Sequence, residues 1–314
     1  MRGRGLCPYL SLLETDPLRD RGLRKGFFSP APPPSAASSR GPFRRAPLGL
    51  HLFLRENGLV RPAKVRSRRR LAPGYFLLEI EAPEAAPRAR PGQFVRLKAW
   101  PGYDPLLPRP FSIHARSEKT LSFLIQERGR ATAVLSRLRP GEEVWWDGPL
   151  GHPFPLPERG EVWLVAGGVG LAPFFFYLET LRARGLSARL FYGARTRGDL
   201  VRLSALERLC PVQVATEDGS RGRPGLVTDL LREALKKGSP EFILACGPPG
   251  MLAAVGHLGE RAGVPVYLSL EAMMACGRGL CLGCAVSRKG GGYLKVCVEG
   301  PVFPAEEVDL DRLG

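Results

Sequence analysis

No run of eighteen or more apolar residues occurs in this 314-residue sequence, so no segment of it reads as a membrane-spanning helix. No clean apolar stretch with a small-residue cleavage site follows the basic N-terminus, and no secretory signal is read there. Negative charge is scarce: 46 Lys and Arg face 30 Asp and Glu, a formal net charge of +16. Such an excess invites a nucleic-acid-binding reading, but its placement argues against one. Residues 1–70 hold 16 basic and 4 acidic residues, whereas residues 71–314 hold 30 and 26. A nucleic-acid-binding domain carries its charge on a folded face, and here the folded body is nearly balanced. A disulfide framework is also missing. Of seven cysteines, Cys7, Cys210 and Cys246 are scattered, and the other four crowd into residues 276–297. A disulfide scaffold distributes its pairs through a small secreted chain; one tight cluster reads as metal ligation.

Residues 1–58 differ from the rest. They contain Pro30, the run Pro32 to Pro34, Ser35, Ser38, Ser39 and many arginines, with no sustained periodicity. This segment is expected to be disordered, or to precede a true start near Val60. A targeting leader fits it poorly, because Glu14, Asp16 and Asp20 lie within it. From residue 59 short alternating segments follow: 74–81, 93–98, 120–126 and 142–146. Pro91-Gly92, Pro101-Gly102, Pro140-Gly141 and Asp147-Gly148 punctuate them. This pattern predicts a small antiparallel β-barrel over 59–157. Over 158–269 the rhythm becomes strand–helix–strand. Strands are expected at 161–166, 189–192, 212–216, 242–245 and 266–268, with helices at 171–184, 200–209, 226–237 and 249–262. That alternation predicts an α/β domain with a parallel sheet. Residues 270–314 form a third, cysteine-bearing unit.

The strongest motif is Cys276, Cys281, Cys284 and Cys297, spaced C-x4-C-x2-C-x12-C. This is the spacing of plant-type [2Fe–2S] ligation. Three thiolates must converge from nine residues, and Gly277, Gly279 and Gly283 permit the tight wrapping. A structural zinc site is the alternative. Zinc sites usually pair two short knuckles, which this spacing fits poorly.

Other motifs are weaker alone. Arg109-Pro110-Phe111-Ser112 offers a guanidinium and a hydroxyl for a pyrophosphate, but is equally an ordinary loop. Gly129-Arg130-Ala131-Thr132 precedes a stretch, 133–138, that reads as helical, whose first amides would face the same pyrophosphate. The dinucleotide fingerprint G-x-G-x-x-G is absent. In its place Gly167-Gly168-Val169-Gly170 ends one strand and opens a helix, and Cys246-Gly247-Pro248 does the same at another. Each has a bland reading as a tight turn, and Cys246 as a small buried hydrophobe. Trp145 and Trp146 read as barrel core and surface. His114 and His152 read as lone loop histidines, and Arg195 and Arg197 as solvated or as facing a 2′-phosphate.

In order, a barrel with R-P-x-S, a G-G-V-G turn and then C-G-P resembles the ferredoxin–NADP reductase superfamily. The cysteine unit after C-G-P narrows this. Pro105 to Ile113, Gly148-Pro149-Leu150-Gly151, Ala215 to Ser220, Leu226-Val227-Thr228-Asp229, Val266 to Glu271 and Val296 to Phe303 resemble dihydroorotate dehydrogenase electron-transfer subunits. The resemblance covers about residues 60–310. It implies a multi-domain chain: an FAD-binding antiparallel β-barrel at 59–157, an α/β NAD(P)-binding domain at 158–269 and a small C-terminal [2Fe–2S] domain at 270–314. It implies FAD contacts at Arg109, Pro110, Phe111 and Ser112, at Leu124, Ile125 and Gln126, and at Ala131 and Thr132. NAD is expected at Gly167, Gly168, Gly170, Cys246, Gly247 and Pro248, with NADP left open. Cluster ligation is expected at Cys276, Cys281, Cys284 and Cys297. The implied partner is an FMN-containing catalytic subunit in a 2+2 heterotetramer, cytoplasmic and serving pyrimidine biosynthesis, with no nucleic acid and no membrane. The sequence departs from the family at Ile125, Gln126 and Ala131, and at Arg278 and Leu280, which stand where smaller residues are common. Alternatives are a subunit of another flavin/iron–sulfur oxidoreductase, of sulfhydrogenase or ferredoxin-dependent transhydrogenase type, and a metal-binding module without turnover.

Overall fold

Side chains that alternate between core and surface build the first part of the fold, the period of a strand with one buried face. The computed structural model describes residues 60–100 and 104–313. The whole 1–58 segment expected to be disordered lies outside the described residues.

Seven strands make the first sheet: β1 (Arg61–Ala72), β2 (Tyr75–Glu81), β3 (Phe94–Lys98), β4 (Arg109–Ser112), β5 (Ala115–Arg116), β6 (Thr120–Gln126) and β7 (Glu143–Leu150). Their order is β4-β3-β7-β1-β2-β6-β5, every pair antiparallel. Phe76, Leu78 and Ile80 of β2, Val95 and Leu97 of β3, and Leu121, Phe123 and Ile125 of β6 share one core. The strands curl into a barrel that stays open along one seam. There β4 and β6 are neighbours, but no ladder joins them. Helix α1 (Arg130–Leu135) follows Gly129, whose φ of 84° turns the chain off β6. It starts three residues before the expected stretch and places Ala131 and Leu135 in the barrel core.

The second sheet is hydrophobic on both faces, as parallel strands covered on both sides must be. It starts with β8 (Glu161–Gly167), which sends Val162, Leu164 and Ala166 to one core and Trp163 and Val165 to another. There follow α2 (Phe174–Ala183), β9 (Ser187–Ala194), α3 (Leu203–Leu206), β10 (Val212–Thr216), β11 (Arg223–Pro224), α4 (Val227–Leu235), β12 (Phe242–Cys246), α5 (Pro249–Ala262) and β13 (Val266–Ser269). Pro249 starts α5 and Gly263, at φ 64°, ends it, the usual placement of the two residues. The expected helix over 171–184 begins at Phe174, because Gly168–Leu171 forms a 3-10 turn and Pro173 occupies the N-cap.

The C-terminal stretch makes a hairpin, β14 (Ala285–Ser287) with β15 (Tyr293–Lys295). Then β16 (Val302–Pro304) adds an antiparallel edge to β13, closing the order β11-β10-β9-β8-β12-β13-β16. Cys284, Cys297 and Phe303 share a core with Trp163, Phe191 and, from the barrel, Phe94. His114 fastens the barrel to the start of α2. It is 1% exposed, its Nδ1 lies 2.7 Å from the Ala172 carbonyl, and it stacks on Phe175.

Candidate functional site

Register aligns the C-terminal ends of the parallel strands. Gly167 stands opposite Gly193, Ala166 opposite Cys246, Ala194 opposite Thr216, and Cys246 opposite Ser269. The turns that leave these ends, together with Tyr75, Gln126 and Arg128 from the barrel, enclose a cavity of about 730 Å³. Such a volume is within the range of small-molecule and cofactor sites. Gly167, Gly168, Gly170, Gly247 and Pro248 all line it.

The two glycine turns interlock. A Cβ on Gly170 would stand 2.2 Å from the Cys246 carbonyl oxygen, and one on Gly167 would stand 2.7 Å from both Met251 Sδ and Pro248 Cδ. Gly168 is different: its φ is +54° and nothing lies within 4 Å of its Cβ position. Its turn is therefore the part of the motif with space for a ligand to approach the backbone. Cys246 lies behind the wall, 1% exposed and outside the lining. Burial pushes its thiol far up, against a bond with Ser269.

Sequence reasoning did not single out several wall residues. Tyr75 Oη donates to Asp199 Oδ1 at 3.0 Å and accepts from Gln126 Nε2 at 2.7 Å. Burial, then Asp199, pushes the phenol up to about 12. Glu271 reaches the cavity just past β13. Crowding by protein raises its carboxyl, and Arg128 opposes that rise. Glu217 lines the same cavity at the end of β10, and so does Arg195 at the end of β9, one of the two arginines expected to be solvated or to face a 2′-phosphate. Arg197 instead gives its backbone N–H to Ser220 Oγ at 2.8 Å.

The segments expected to hold a flavin border the open seam. Arg109, Pro110, Phe111 and Ser112 form β4, bound to β3 on one side only. Across the seam stand Leu124, Ile125 and Gln126 of β6. The side chains of Leu124 and Ile125 are buried in two different cores, so their backbone is what they offer to a ligand. Gln126 Oε1 is buried with no protein partner. An unfilled seam edge and an orphaned buried acceptor fit a polar-edged cofactor lying between β4 and β6. Thr132 is committed locally: its hydroxyl accepts from the Arg128 amide at 2.6 Å and donates to the Gly129 carbonyl at 3.0 Å. Any contact there falls to the backbone.

The cysteine loop follows β13. Backbone amides point at its sulfurs. Arg278, Leu280 and Cys281 donate to Cys276 Sγ at 3.3, 3.4 and 3.4 Å, and Gly279 donates to Cys297 Sγ at 3.2 Å. Burial would raise the Cys276 thiol, but these amides and the Cys281 side chain bring it down to about 6. Cys297, more enclosed and beside Cys284, is pushed up to about 11. Cys276 interacts with Cys281, and Cys297 with Cys284, while Cys297 also feels Cys276. Cys276 and Cys281 lie toward solvent, Cys284 and Cys297 are buried. No three His, Cys, Asp or Glu side chains converge among the described residues as they would on one ion. Four thiols under a fan of backbone amides are a donor set that fits an iron–sulfur cluster.

Residues 271–309 match the model of the iron–sulfur cluster binding domain of dihydroorotate dehydrogenase B, and residues 164–257 match that of the oxidoreductase NAD-binding domain. The chain is 36% identical over 258 residues to the dihydroorotate dehydrogenase B (NAD(+)) electron transfer subunit of Desulforamulus reducens, covering 78% of this chain and 97% of that protein. It is 37% identical over 249 residues to the same subunit of Caldanaerobacter subterraneus subsp. tengcongensis, with the same coverage. Among solved structures, a chain from an NADH-dependent reduced ferredoxin–NADP oxidoreductase superposes with a TM-score of 0.72 at 29% identity, over 80% of this chain and 91% of that one. A ferredoxin NADP+ reductase from Neisseria gonorrhoeae with bound FAD and NADP shares the fold, with a TM-score of 0.56 at 21% identity over 65% of this chain and 93% of that one.

Proposed function

Because the chain belongs to the family of dihydroorotate dehydrogenase B (NAD(+)) electron transfer subunits, we propose that it is the oxidoreductase subunit that carries electrons between a separate FMN-bearing catalytic subunit and NAD⁺ in pyrimidine biosynthesis. The observation that carries this reading is the cysteine loop. Four cysteines and four backbone amides aimed at their sulfurs stand in the same folded unit as a nucleotide-sized cavity and an open barrel seam.

When bound, a [2Fe–2S] cluster and FAD would supply the conversion between one-electron carriage and the two-electron hydride of nicotinamide, which a cluster alone cannot perform. The chain's residues divide the work of holding them. Cys276, Cys281, Cys284 and Cys297 would ligate the cluster, and the amides of 278–281 would stabilise its negative charge. Arg109 and Ser112 would anchor the flavin pyrophosphate, with the backbone of Leu124, Ile125 and Gln126 and of Ala131 and Thr132 on the facing edge. Gly167, Gly168, Gly170, Gly247 and Pro248 would let the nicotinamide nucleotide approach the sheet. Cys246 would back that site from behind the wall. Tyr75 and Gln126 border both sites and would orient the groups that meet there.

We assign 59–157 to the flavin barrel, 158–269 to the nucleotide domain and 270–314 to the cluster unit, in a cytoplasmic 2+2 assembly with the catalytic subunit. No helix among the described residues is long and apolar enough to cross a membrane. A second reading, a subunit of a ferredoxin-linked NADP oxidoreductase, is favoured by the 0.72 superposition. Reconstitution separates the two. Mixed with a dihydroorotate dehydrogenase catalytic subunit, the chain should support NAD⁺ reduction by dihydroorotate. If it supports only ferredoxin-coupled turnover, the second reading holds.

A further inference from the structure

Beside the cysteine loop lies a partly buried cluster of charge that cofactor ligation does not use. Asp147 on β7 and the Arg96 side chain on β3 are 6% and 8% exposed. Arg96 Nη2 donates to Asp147 Oδ2 at 2.5 Å, and its Nη1 donates at 2.5 Å to the carbonyl of Ala275, the residue before Cys276. Arg278 Nη2 donates to the other carboxylate oxygen, Oδ1, at 2.6 Å. The Arg278 amide is itself a donor to Cys276 Sγ. One barrel carboxylate thus holds two guanidiniums, and both are fastened to the cysteine loop.

The sum is one excess positive charge: Arg96 and Asp147 are shielded from water, and the Arg278 side chain, 40% exposed, closes the cluster from the solvent side. The Arg96 Nε is buried with no protein partner. It stands only 2.7 Å from where a Cβ on Gly277 would be, so Gly277 is what lets the loop close over it. A buried N–H without a partner is costly. An anionic group seated in the cysteine loop is the kind of neighbour that would offset it.

We propose that Arg96, Asp147 and Arg278 form a charge-tuning clamp that raises the reduction potential of the cluster held by Cys276, Cys281, Cys284 and Cys297. This rests on the reading of the four cysteines as the cluster site. Reduction adds an electron to a cluster that is already anionic, so fixed positive charge nearby favours the reduced form. Such charge acts more strongly where protein excludes water. The clamp also positions the loop: it ties the segment on both sides of Cys276 to the flavin barrel through a single carboxylate. Arg278 and Asp147 act through the loop and its charge, as positioning residues rather than ligands.

The test is the cluster's midpoint potential, with the electron paramagnetic resonance spectrum of its reduced state, in the purified full-length chain. Arg278→Gln removes one positive charge and should weaken cluster reduction at least tenfold, about 59 mV for a one-electron step. Arg278→Lys should recover most of that shift. Asp147→Asn removes the negative charge and should move the potential the opposite way. A clamp with only a structural role would shift both variants in one direction or lose the cluster from both. Either result, or unchanged potentials, overturns the proposal. Wild-type chain that binds no iron would instead overturn the reading on which it rests.

Discussion

Tyr75, at the start of a barrel strand, donates its phenol hydrogen across 3.0 Å to Asp199, in the 3-10 turn that follows β9 of the second sheet. That bond, with Gln126 donating to the same phenol oxygen at 2.7 Å, joins the two halves of the cavity through one hydroxyl. Tyr75→Phe keeps the ring in its core and removes only the hydroxyl. It leaves Asp199 and Gln126 each short of a partner, and should cost about 1–3 kcal/mol. Urea unfolding monitored by circular dichroism would measure this.

Gly170 and Gly168 should respond differently to alanine. At Gly170 the new methyl would press on backbone, 2.2 Å from the Cys246 carbonyl oxygen. Gly170→Ala should therefore fold poorly or lose several kcal/mol, as overpacking against backbone does. At Gly168 there is room, and the cost is the left-handed φ of +54°, about 1 kcal/mol. Gly168→Ala should fold but bind NADH more weakly, measurable by calorimetric titration. Equal effects at both positions would contradict the assignment of the open turn to the ligand.

Cys281→Ser should abolish the cluster and leave FAD bound, because the cysteine loop and the barrel seam are built from different residues. Iron and flavin analysis of the purified variant decides this. Loss of both cofactors would show that the two sites do not form independently.

His114 should make stability depend on pH. Burial, mainly, lowers its pKa to about 3 from an ordinary 6.5. The folded protein therefore binds fewer protons than the unfolded chain between these values, and stability rises with pH across that window. The contribution is complete above 6.5 and is lost as pH falls toward 3. Its full size is on the order of 5 kcal/mol. Unfolding free energies measured at intervals from pH 4 to 7 should show this slope in the wild type and a shallower one in His114→Phe.

The sequence carried unequal amounts of this. The cysteine site was legible because three of its thiols lie within Cys276–Cys284 and the loop geometry is local. The parallel strands were legible because burial on both faces leaves uninterrupted runs such as Val162–Ala166. Strand β1 was not foreseen. Its twelve residues include Arg61, Lys64, Arg66, Arg68, Arg69 and Arg70, and only Ala63 and Val65 are fully buried, so charge on the solvated face masks the alternation. The pairing of Asp147 with Arg278 spans 131 residues, and no local pattern records it. Tyr75 with Asp199 is hidden for the same reason. The seam between β4 and β6 depends on which strands fail to pair, a property of topology rather than of any segment.

The most direct test of the whole account is an absorbance spectrum of anaerobically purified protein, with iron, zinc and flavin quantified, before and after NADH is added. The account predicts one FAD and two irons per chain, with both chromophores bleaching on NADH. Zinc in place of iron, with no flavin and no change on NADH, would contradict it and leave a metal-stabilised binding module.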